Sequence, residues 1–307
     1  MSTAFAFPKV SPAHRLSVLG AAVVFLGASL AYGWGYEAHR MIDRAAVAIL
    51  PPDMRAVVEN HTDALVEHAA DPDLWKDDPD ERPRHYIDLE LGDANGPPYA
   101  ALPRDYAGAL AALGRDSLGK MGVLPWRIES YFETLVNGMR NPSDSTLIIM
   151  AALGHYVADA TMPMHTTVNY DGQLTGNQGI HFRFEWWMIE QNREKINLDP
   201  LLPLWVYNPL GAAWRIILHS HADIDTLLRA DMDVRRTSRE PWVNEKGRGV
   251  ADPDYDQRLW ERLGGVAIHR MNLAAEVVAG YWYAAWLKAG KPDLSGVPTP
   301  PPPPPSK

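Results

Sequence analysis

Cysteine is absent from the 307 residues of this chain, and its absence limits the chemistry that the chain can perform. Without thiols there is no disulfide framework and no thiolate metal site, so any bound metal must be held by imidazole and carboxylate groups. Basic residues are also in the minority: 29 Lys and Arg stand against 38 Asp and Glu, and the formal net charge is −9. That balance argues against a broad basic face of the kind that grips duplex nucleic acid.

The first apolar run of the chain, residues 16–30, is too short for a comfortable membrane span. A weakly basic lead precedes it, and the small residues Ala31 and Gly33 follow it. This pattern predicts a secretory signal peptide over residues 1–33, cleaved before Trp34. An uncleaved N-terminal anchor is the alternative. We therefore expect a secreted or periplasmic protein.

Sustained two-residue alternation is not found, so no sheet is predicted. Apolar residues recur instead with helical spacing along seven segments. These segments are 55–69, 106–118, 126–139, 146–160, 180–196, 209–228 and 254–289. No repeat and no internal linker separates them. We expect one multi-helix all-α domain over residues 34–291, followed by a proline-rich disordered tail over residues 292–307.

Histidine and acidic residues in the middle of the chain are spaced as in a metal site. His155 and Asp159 are four residues apart on a predicted helix, so both project from one face. His165 follows that helix, and His181 and Glu185 repeat the four-residue spacing. This donor set favours zinc, with manganese or iron as alternatives. A single pair of this kind is more often a surface hydrogen bond, but an unpaired Asp159 on an apolar helix would be costly to bury.

Four segments of the sequence resemble the trinuclear zinc phosphodiesterases, which unite bacterial zinc-dependent phospholipase C with the secreted single-strand-specific nucleases. They are L-G-H-Y-V-A-D-A-T-M-P-M-H around His155, the later His-x-x-x-Glu, the segment R-H-Y-I-D-L-E and the start W-G-Y-E-A-H. The resemblance extends over essentially the whole predicted domain, including the last helix, and depends on the ordered set of ligands rather than on one motif. It implies an all-α fold of the phospholipase C and nuclease type with three zinc ions.

The resemblance also implies which residues hold the three ions. One ion of a close pair would be bound by Asp71, His85 and His155, with Asp159 bridging to the other, which would take His39 and the α-amine and carbonyl oxygen of Trp34; the third ion would be held by His165, His181 and Glu185. The α-amine of Trp34 exists only after cleavage of the signal peptide. Asp71 would also be the catalytic residue that orients or deprotonates the nucleophile. Asp73, two residues later, is the alternative ligand.

The activity that the resemblance implies is hydrolysis of a phosphodiester by a metal-activated water. Glu185, where the nucleases usually have Asp, and the short gap from His165 to His181 favour a phospholipase C-like enzyme. The spacing of Trp34 and His39 instead favours a single-strand-specific endonuclease that releases 5'-nucleotides. A non-catalytic secreted zinc-binding protein is the third alternative.

The two substrates, phospholipid and single-stranded nucleic acid, would need different side chains at the rim of the site. A nucleotide base would need an aromatic platform, whereas a lipid would need exposed apolar groups and a transient contact with a membrane surface. The candidates are Tyr170, Asn169 and Asp171 for a base, and Trp75, Trp186 and Trp187 for a lipid. Helix packing is the alternative for the tryptophans. Arg183 would contact a phosphate or lie on a solvated helix face, and no protein partner is evident.

Overall fold

The structure, a computed structural model, describes residues 34–75, 78–238 and 253–303. In these ranges the chain is all-helical and contains no strand. The α-helices are α1 (Tyr36–Ile49), α2 (Pro52–Val58), α3 (Thr62–His68), α4 (Asp71–Leu74), α5 (Leu89–Gly92), α6 (Tyr106–Leu113), α7 (Arg115–Met121), α8 (Leu124–Arg140), α9 (Asp144–Ala160), α10 (Ile180–Phe182), α11 (Met188–Asn192), α12 (Pro209–His221), α13 (Ile224–Arg235) and α14 (Pro253–Ala289). The prediction of a multi-helix all-α domain is therefore confirmed. The predicted signal peptide, residues 1–33, lies outside the described residues.

Helix α9 is the central element of the domain. It is surrounded by α1, α3, α8, α12 and α14, and 13 of its 17 residues are buried. A helix that is apolar around most of its circumference must be enclosed in this way. A capping box at its start, in which Ser143 and Thr146 bond each other's backbone N–H groups, fixes where the helix begins. The predicted ligands on α9 consequently lie inside the protein.

Helix α14 covers α9, and one glycine sets the distance between neighbouring helices. A Cβ on Gly154 would come within 2.8 Å of Oδ1 of Asp43 on α1 and 3.0 Å of the Trp282 ring on α14. The indole N–H of Trp282 donates to the carbonyl oxygen of Met150 at 2.8 Å. Gly154 therefore allows α1 and α14 to pack closely beside His155. No helix in the described ranges has both the length and the apolar character that crossing a lipid bilayer requires.

The helix boundaries differ from the predicted ones at four places. The predicted helix 106–118 is divided at Gly114 between α6 and α7. The predicted helix 55–69 is interrupted by a 3₁₀ turn at Glu59–His61. The predicted helix 180–196 contains a π-helical turn at Arg183–Trp187, and the predicted helix 209–228 is divided between α12 and α13. Apolar periodicity continues through such local changes, so it does not reveal them. The first helix, α1, was not predicted from periodicity.

The proline-rich segment after α14 contacts the domain over its first part. Leu294 and Val297 are buried. The carbonyl oxygen of Leu294 lies 2.8 Å from Nε2 of His61, and the indole N–H of Trp286 donates to the carbonyl oxygen of Pro292 at 2.8 Å. The composition predicts a disordered tail over residues 292–307, whereas Leu294, Val297 and Pro300 are buried and the residues between them are exposed.

Candidate metal centre

The first group of potential metal ligands joins α1 to α9. The rings of His39 and His155 are stacked with centroids 3.9 Å apart, and Nε2 of His39 lies 3.5 Å from Oδ1 of Asp159. His155 and Asp159 are one turn apart on α9, so they extend in the same direction. The ligand atoms of these three side chains all lie within 4.8 Å of one another.

The second group combines α4, the residue after the 3₁₀ turn Arg82–Arg84, and α9. Nδ1 of His85 lies 3.1 Å from Nε2 of His155 and 3.8 Å from Oδ1 of Asp73. Oδ1 of Asp73 is in turn 3.7 Å from Nε2 of His155. Asp73 and His85 are thus brought to the face of α9 that carries His155. The ligand atoms of these three side chains all lie within 4.8 Å of one another.

The third group lies where α9 has ended and the chain returns through α10. His165 belongs to the 3₁₀ turn Pro163–Thr166, His181 lies in α10, and Glu185 lies in the π-helical turn. Oε2 of Glu185 is 2.7 Å from Nε2 of His181 and 3.5 Å from Nε2 of His165. The three ligand atoms form one compact group.

Asp159 connects the three groups. Its Oδ2 lies 3.0 Å from Nδ1 of His85 and 3.4 Å from Nε2 of His155, and its Oδ1 lies 3.9 Å from Nδ1 of His165. We call the whole set the Asp159 cluster. Its members are His39, Asp73, His85, His155, Asp159, His165, His181 and Glu185.

Burial makes the cluster costly for the protein without a cation. All eight side chains are buried, and polar groups buried without a partner destabilise a fold by about 1–3 kcal/mol each. Five of their polar atoms have no hydrogen-bond partner: His39 Nε2, Asp159 Oδ1, His165 Nε2, His181 Nε2 and Glu185 Oε2. Each of these atoms is a type that ligates divalent ions. The donor set therefore fits a metal.

His181 and Glu185 carry a close pair of such buried atoms without hydrogen-bond partners. Their facing atoms are 2.7 Å apart, yet neither atom has a hydrogen-bond partner. A close approach of two lone-pair donors is what a shared cation requires. The two atoms are therefore close enough to share a cation as well as to form an ion pair.

Backbone carbonyl groups fix the orientation of two of the imidazole rings. Nδ1 of His155 lies 3.0 Å from the carbonyl oxygen of Ala69, and Nδ1 of His165 lies 2.6 Å from the carbonyl oxygen of His85. A carbonyl oxygen can only accept, so we assign the proton to Nδ1 in both rings. Their Nε2 lone pairs are then directed into the cluster, as in many metal-binding histidines.

Burial and mutual charge interactions separate the pKa values of the cluster. Burial, assisted by His39, lowers the pKa of His155 well below its usual value. Burial also raises the pKa of Glu185 well above its usual range, and nearby Asp159 adds to the effect. For Asp159 burial acts in the opposite direction, but His155 and His165 outweigh it and hold the pKa well below the usual range. Burial likewise opposes protonation of His85, yet hydrogen bonds to Asp159 and Glu81 raise its pKa to about 10.

The structure places the alternative, Asp73, and not Asp71 among the three groups of potential ligands, and the catalytic role of Asp71 stays a prediction. Oδ2 of Asp71 lies 2.6 Å from Nδ1 of His68, and Asp71 belongs to none of the three groups. Asp73, the alternative, lies beside His85 and His155. Both carboxylates are buried in the short helix α4. Sequence spacing could not decide which of them faces α9, because four residues make only one helical turn.

Trp34 lies next to the cluster, although its ligand role depends on an N-terminus that begins there. Its buried indole N–H donates to the carbonyl oxygen of Ala158 at 3.1 Å and to Oγ1 of Thr161 at 3.2 Å, on either side of Asp159. The next residue, Gly35, donates its backbone N–H to the carbonyl oxygen of Glu185 at 3.4 Å. The start of the domain is thus fixed between the first and third groups.

A hydrogen-bonded chain behind His85 was not predicted from the sequence. Nε2 of His85 lies 3.3 Å from Oε1 of Glu81. The hydroxyl of Tyr156 donates to the same Oε1 at 2.5 Å and accepts from Nη2 of Arg127 at 3.0 Å. Glu81 stands four residues before His85, the spacing that identified the other pairs. That spacing could have indicated it.

Arg183 is neither solvated nor directed at the cluster. It is fully buried, and its Nη2 donates to Oδ1 of Asp231 at 3.0 Å. Its Nε donates to the hydroxyl of Tyr255 at 2.8 Å, and that hydroxyl in turn donates to Asp231. Asn177 donates to Oδ2 of Asp231 at 2.7 Å. This network holds the π-helical turn that carries Glu185.

The residues predicted for the rim of the site divide into packing residues and one neighbour of the cluster. The side chain of Asn169 is used within its own loop, since its Oδ1 accepts from the backbone N–H of Leu174 at 2.8 Å. Trp187 donates its indole N–H to Oδ2 of Asp256 at 2.8 Å. Tyr170 lies with its ring centroid 6.3 Å from that of His181. The other rim candidates, Trp75, Trp186 and Asp171, are half-buried.

No protein-family model matches the chain. Among curated proteins it is similar to one named a probable serine protease, from Bradyrhizobium tropiciagri, with 25% identity over 198 residues. The matched region covers 57% of this chain but 25% of that protein, so the chain spans about a quarter of the relative's length.

This comparison overturns the predicted function. The relative is named as a protease, and neither comparison gives support for a zinc phosphodiesterase, whether phospholipase C-like or nuclease, or for a non-catalytic zinc-binding protein. The sequence prediction was wrong because it carried a substrate over from a resemblance in ligand spacing. Ligand spacing concerns how a metal is held and not which bond is broken.

Proposed function

We propose that this chain is a metal-dependent hydrolase whose active site is the Asp159 cluster. The observation that supports the proposal is the convergence of buried imidazole nitrogens and carboxylate oxygens that lack hydrogen-bond partners. A divalent cation there would lower the pKa of a coordinated water toward neutrality and so supply the hydroxide that attacks the substrate. Perturbed pKa values such as those of His155 and Glu185 are also frequent at functional sites.

The hydrolase class agrees with the name of the curated relative, but the geometry favours a different nucleophile from serine. In the described part of the chain, no serine hydroxyl forms a hydrogen bond with an imidazole. Ser220, for example, donates to the carbonyl oxygen of Ala160 at 2.7 Å and lies 2.9 Å from that of Ile216. A serine nucleophile needs an adjacent base to remove its proton. We therefore propose that the chain shares hydrolysis with its curated relative, but that its nucleophile is not a serine.

We propose zinc as the metal, because mixed imidazole and carboxylate donors without thiolates are typical ligands of zinc at catalytic sites. Two ions would have complete sets of side-chain donors. Asp73, His85 and His155 would hold one of them, and His165, His181 and Glu185 would hold the other. His155 has only Nε2 left for a metal because its Nδ1 donates to Ala69. It therefore serves one ion only.

The remaining donors, His39 and Asp159, are one short of a three-ligand site. We propose that proteolytic cleavage before Trp34 supplies the missing donor as an α-amine, so that a third ion binds only in the processed protein. The position of Trp34 beside Asp159 supports this step, because its indole is held at Ala158 and Thr161. Processing of this kind would accompany export from the cytoplasm. The resemblance in ligand order supports the scaffold and its metals alone.

The other residues of the site bind and orient. Asp73 takes the place predicted for Asp71, holding a metal beside His85. Glu81, with Tyr156, holds the far side of the His85 ring and keeps Nδ1 directed at Asp159. Because the cluster is buried, its charges interact more strongly than they would in solution.

The test compares protein beginning at Trp34 with the same protein after removal of metal by a chelator. Zinc content is measured by mass spectrometry. Turnover is measured on fluorogenic peptides and carboxylic esters, with phosphodiesters as a comparison. We expect turnover of a peptide or an ester that is lost on chelation and restored by zinc. His155→Ala should lower it by more than about a hundredfold, since even outer partners of metal ligands contribute 10–100-fold.

His269→Ala is the matched control, because His269 is exposed on α14 and outside the cluster. It should keep full zinc content and turnover. Turnover that survives complete removal of metal would refute the proposal, as would absence of bound metal in the processed protein. A serine-reactive inhibitor that abolishes the activity would favour the mechanism named for the relative.

A further inference from the structure

The segment between α11 and α12 is held firmly on the surface of α14. The backbone N–H of Asp199 donates to Oδ1 of Asn272 at 2.9 Å, that of Leu201 donates to Oε1 of Glu276 at 2.9 Å, and that of Leu204 donates to the carbonyl oxygen of Glu276 at 2.9 Å. These acceptors lie one turn apart along α14. We call residues 199–207 the pinned loop.

One glycine allows the pinned loop to approach α14. Gly280 lies one turn after Glu276 on the same face of α14, and a Cβ there would overlap the carbonyl oxygen of Leu204. The backbone of the loop therefore rests directly on the helix. Val206 of the loop packs partly against the core, whereas Leu201, Leu202, Leu204, Trp205 and Tyr207 are exposed.

The pinned loop presents large apolar side chains to solvent. Leu201 is 80% exposed, Leu202 is 72% exposed, Trp205 is 64% exposed and Tyr207 is 89% exposed. Exposed apolar residues scattered singly need no explanation, but a contiguous set on a fixed loop marks a binding surface. The rings of Trp205 and Tyr207 are stacked, and Trp205 packs edge to face on Tyr283 of α14.

A cavity of about 970 Å³ adjoins the pinned loop. It lies between the loop, the junction of α1 and α2, and α14, and its lining includes Ile49, Pro51, Trp205, Tyr283 and Leu287. The lining is largely apolar and shares no residue with the Asp159 cluster. Its size is at the upper end of the range typical of small-molecule pockets, about 300–1,000 Å³.

The charged side chains that line this cavity are both basic, and each has a carboxylate beside it that a ligand's anionic group would have to replace or join. Arg55 and Lys288 are the charged residues of the lining, and no acidic side chain is part of it. Nη1 of Arg55 donates to the carbonyl oxygen of Ala48 at 3.1 Å, and its Nε is 3.9 Å from a carboxylate oxygen of Glu59. Nζ of Lys288 lies 2.6 Å from Oε1 of Glu133. The guanidinium has five N–H donors, so a second acceptor can be bound beside Ala48.

We propose that this cavity binds one anionic amphiphile, a single long-chain carboxylate with its alkyl chain in the cavity and its head group at Arg55 and Lys288. The apolar lining and the two cations match such a molecule in both of its parts. The exposed patch is small for a dimer, because a standard protein interface uses roughly 20–30 residues on each side. The cavity is concave and half open to solvent, a shape that accommodates one alkyl chain better than a flat bilayer surface. The inference goes beyond the proposed hydrolase function and does not depend on it.

The test is calorimetric titration of the full chain with octanoate, decanoate and dodecanoate below their aggregation concentrations. We expect affinity to rise by about two- to fourfold per added methylene, because each buried methylene contributes to transfer from water. Dodecanol, which lacks the anionic head, should bind more weakly by about tenfold, the effect of one charge-assisted contact. Binding is measured without turnover, so its failure leaves the hydrolase proposal unaffected.

Two variants separate the head-group contact from the cavity. Arg55→Gln should weaken dodecanoate by about tenfold and leave dodecanol unchanged. Ala284→Phe, which fills the cavity from α14, should abolish both. Arg229→Gln is the matched control, since Arg229 is an exposed arginine of α13 paired with Asp225. Because Arg55 is a surface residue, its variant tests the proposal even if Ala284→Phe does not fold.

Three outcomes would overturn the proposal. The first is absence of dodecanoate binding, or binding that is independent of chain length. The second is binding to phosphatidylglycerol vesicles without binding of monomeric carboxylate, which would assign the patch to a membrane surface. The third is concentration-dependent dimerisation that Tyr207→Ser removes, which would assign the patch to a second copy of the chain.

Discussion

Removal of metal is expected to lower the thermal stability of the domain by a large and measurable amount. In the metal-free protein five ligand atoms are buried without a hydrogen-bond partner, and each such atom costs about 1–3 kcal/mol. Part of that cost is relieved by protonation, since burial raises the pKa of Glu185. A bound ion would therefore stabilise the folded state selectively.

The size of the effect follows from mass action. A metal at a thousand times its dissociation constant stabilises a protein by about 4 kcal/mol. For a domain of this size 1 kcal/mol corresponds to about 2–4 °C in Tm, so the shift should be about 8–15 °C. Calorimetry or circular dichroism with and without a chelator, followed by addition of zinc, measures it. Unfolding by the chelator must reverse on zinc addition.

A variant of one ligand distinguishes loss of bound metal from a general effect of the chelator on the protein. Glu185→Gln should reduce the zinc-dependent shift, because the amide is a much weaker ligand than the carboxylate. His269→Ala should keep the full shift. Equal Tm values in chelator and in excess zinc would refute the metal assignment. So would a Glu185→Gln variant with an undiminished shift.

Three further predictions concern single residues. Asp73→Asn should lose about one equivalent of zinc while Asp71→Asn retains it, as measured by mass spectrometry; the reverse order would restore the original assignment. Burial raises the pKa of Asp88 to about 7, so this group favours folding at low pH and loses that contribution as pH rises from its unfolded value toward 7. Asp88→Asn should therefore reduce the decline in unfolding free energy between pH 4 and 7, by at most about 4 kcal/mol, in denaturant titrations; an unchanged slope contradicts it. Arg183→Met should destabilise the fold by about 3–5 kcal/mol because it removes the closer of the two cations that pair with buried Asp231, leaving Arg235 at 3.5 Å. The double change with Asp231→Leu should recover most of the loss in urea unfolding; equal loss in both variants would contradict the ion-pair argument.

The sequence predicted the helical class because periodicity is a property of long segments. Helix α9 and helix α14 are apolar over many turns, and tertiary packing only confirms what their composition requires. The breaks within helices were not predictable. The π-helical turn at Arg183–Trp187 is held by Asp231, a residue far away in the chain, and local sequence contains no trace of that contact.

The candidate site was predictable in part for the same reason. Pairs on one helix, such as His155 with Asp159, have a fixed geometry that spacing reveals. The choice between Asp71 and Asp73 depends on how α4 is rotated against α9, which is a tertiary property. The substrate was not predictable, because ligand order determines the metal scaffold and leaves the cleaved bond open.

The separation in sequence of the Asp159 cluster's members has a consequence for the order of folding. His85 and Asp159 are 74 residues apart, and His85 and His155 are 70 residues apart. An ion bound between them would act as a crosslink that closes these loops, an effect worth about 4 kcal/mol when a disulfide closes loops of this length. Such a crosslink can form only after the distant segments have met, so it stabilises the finished topology and not the early stages of folding. A chain without cysteine could in this way lock its long loops with imidazole and carboxylate groups.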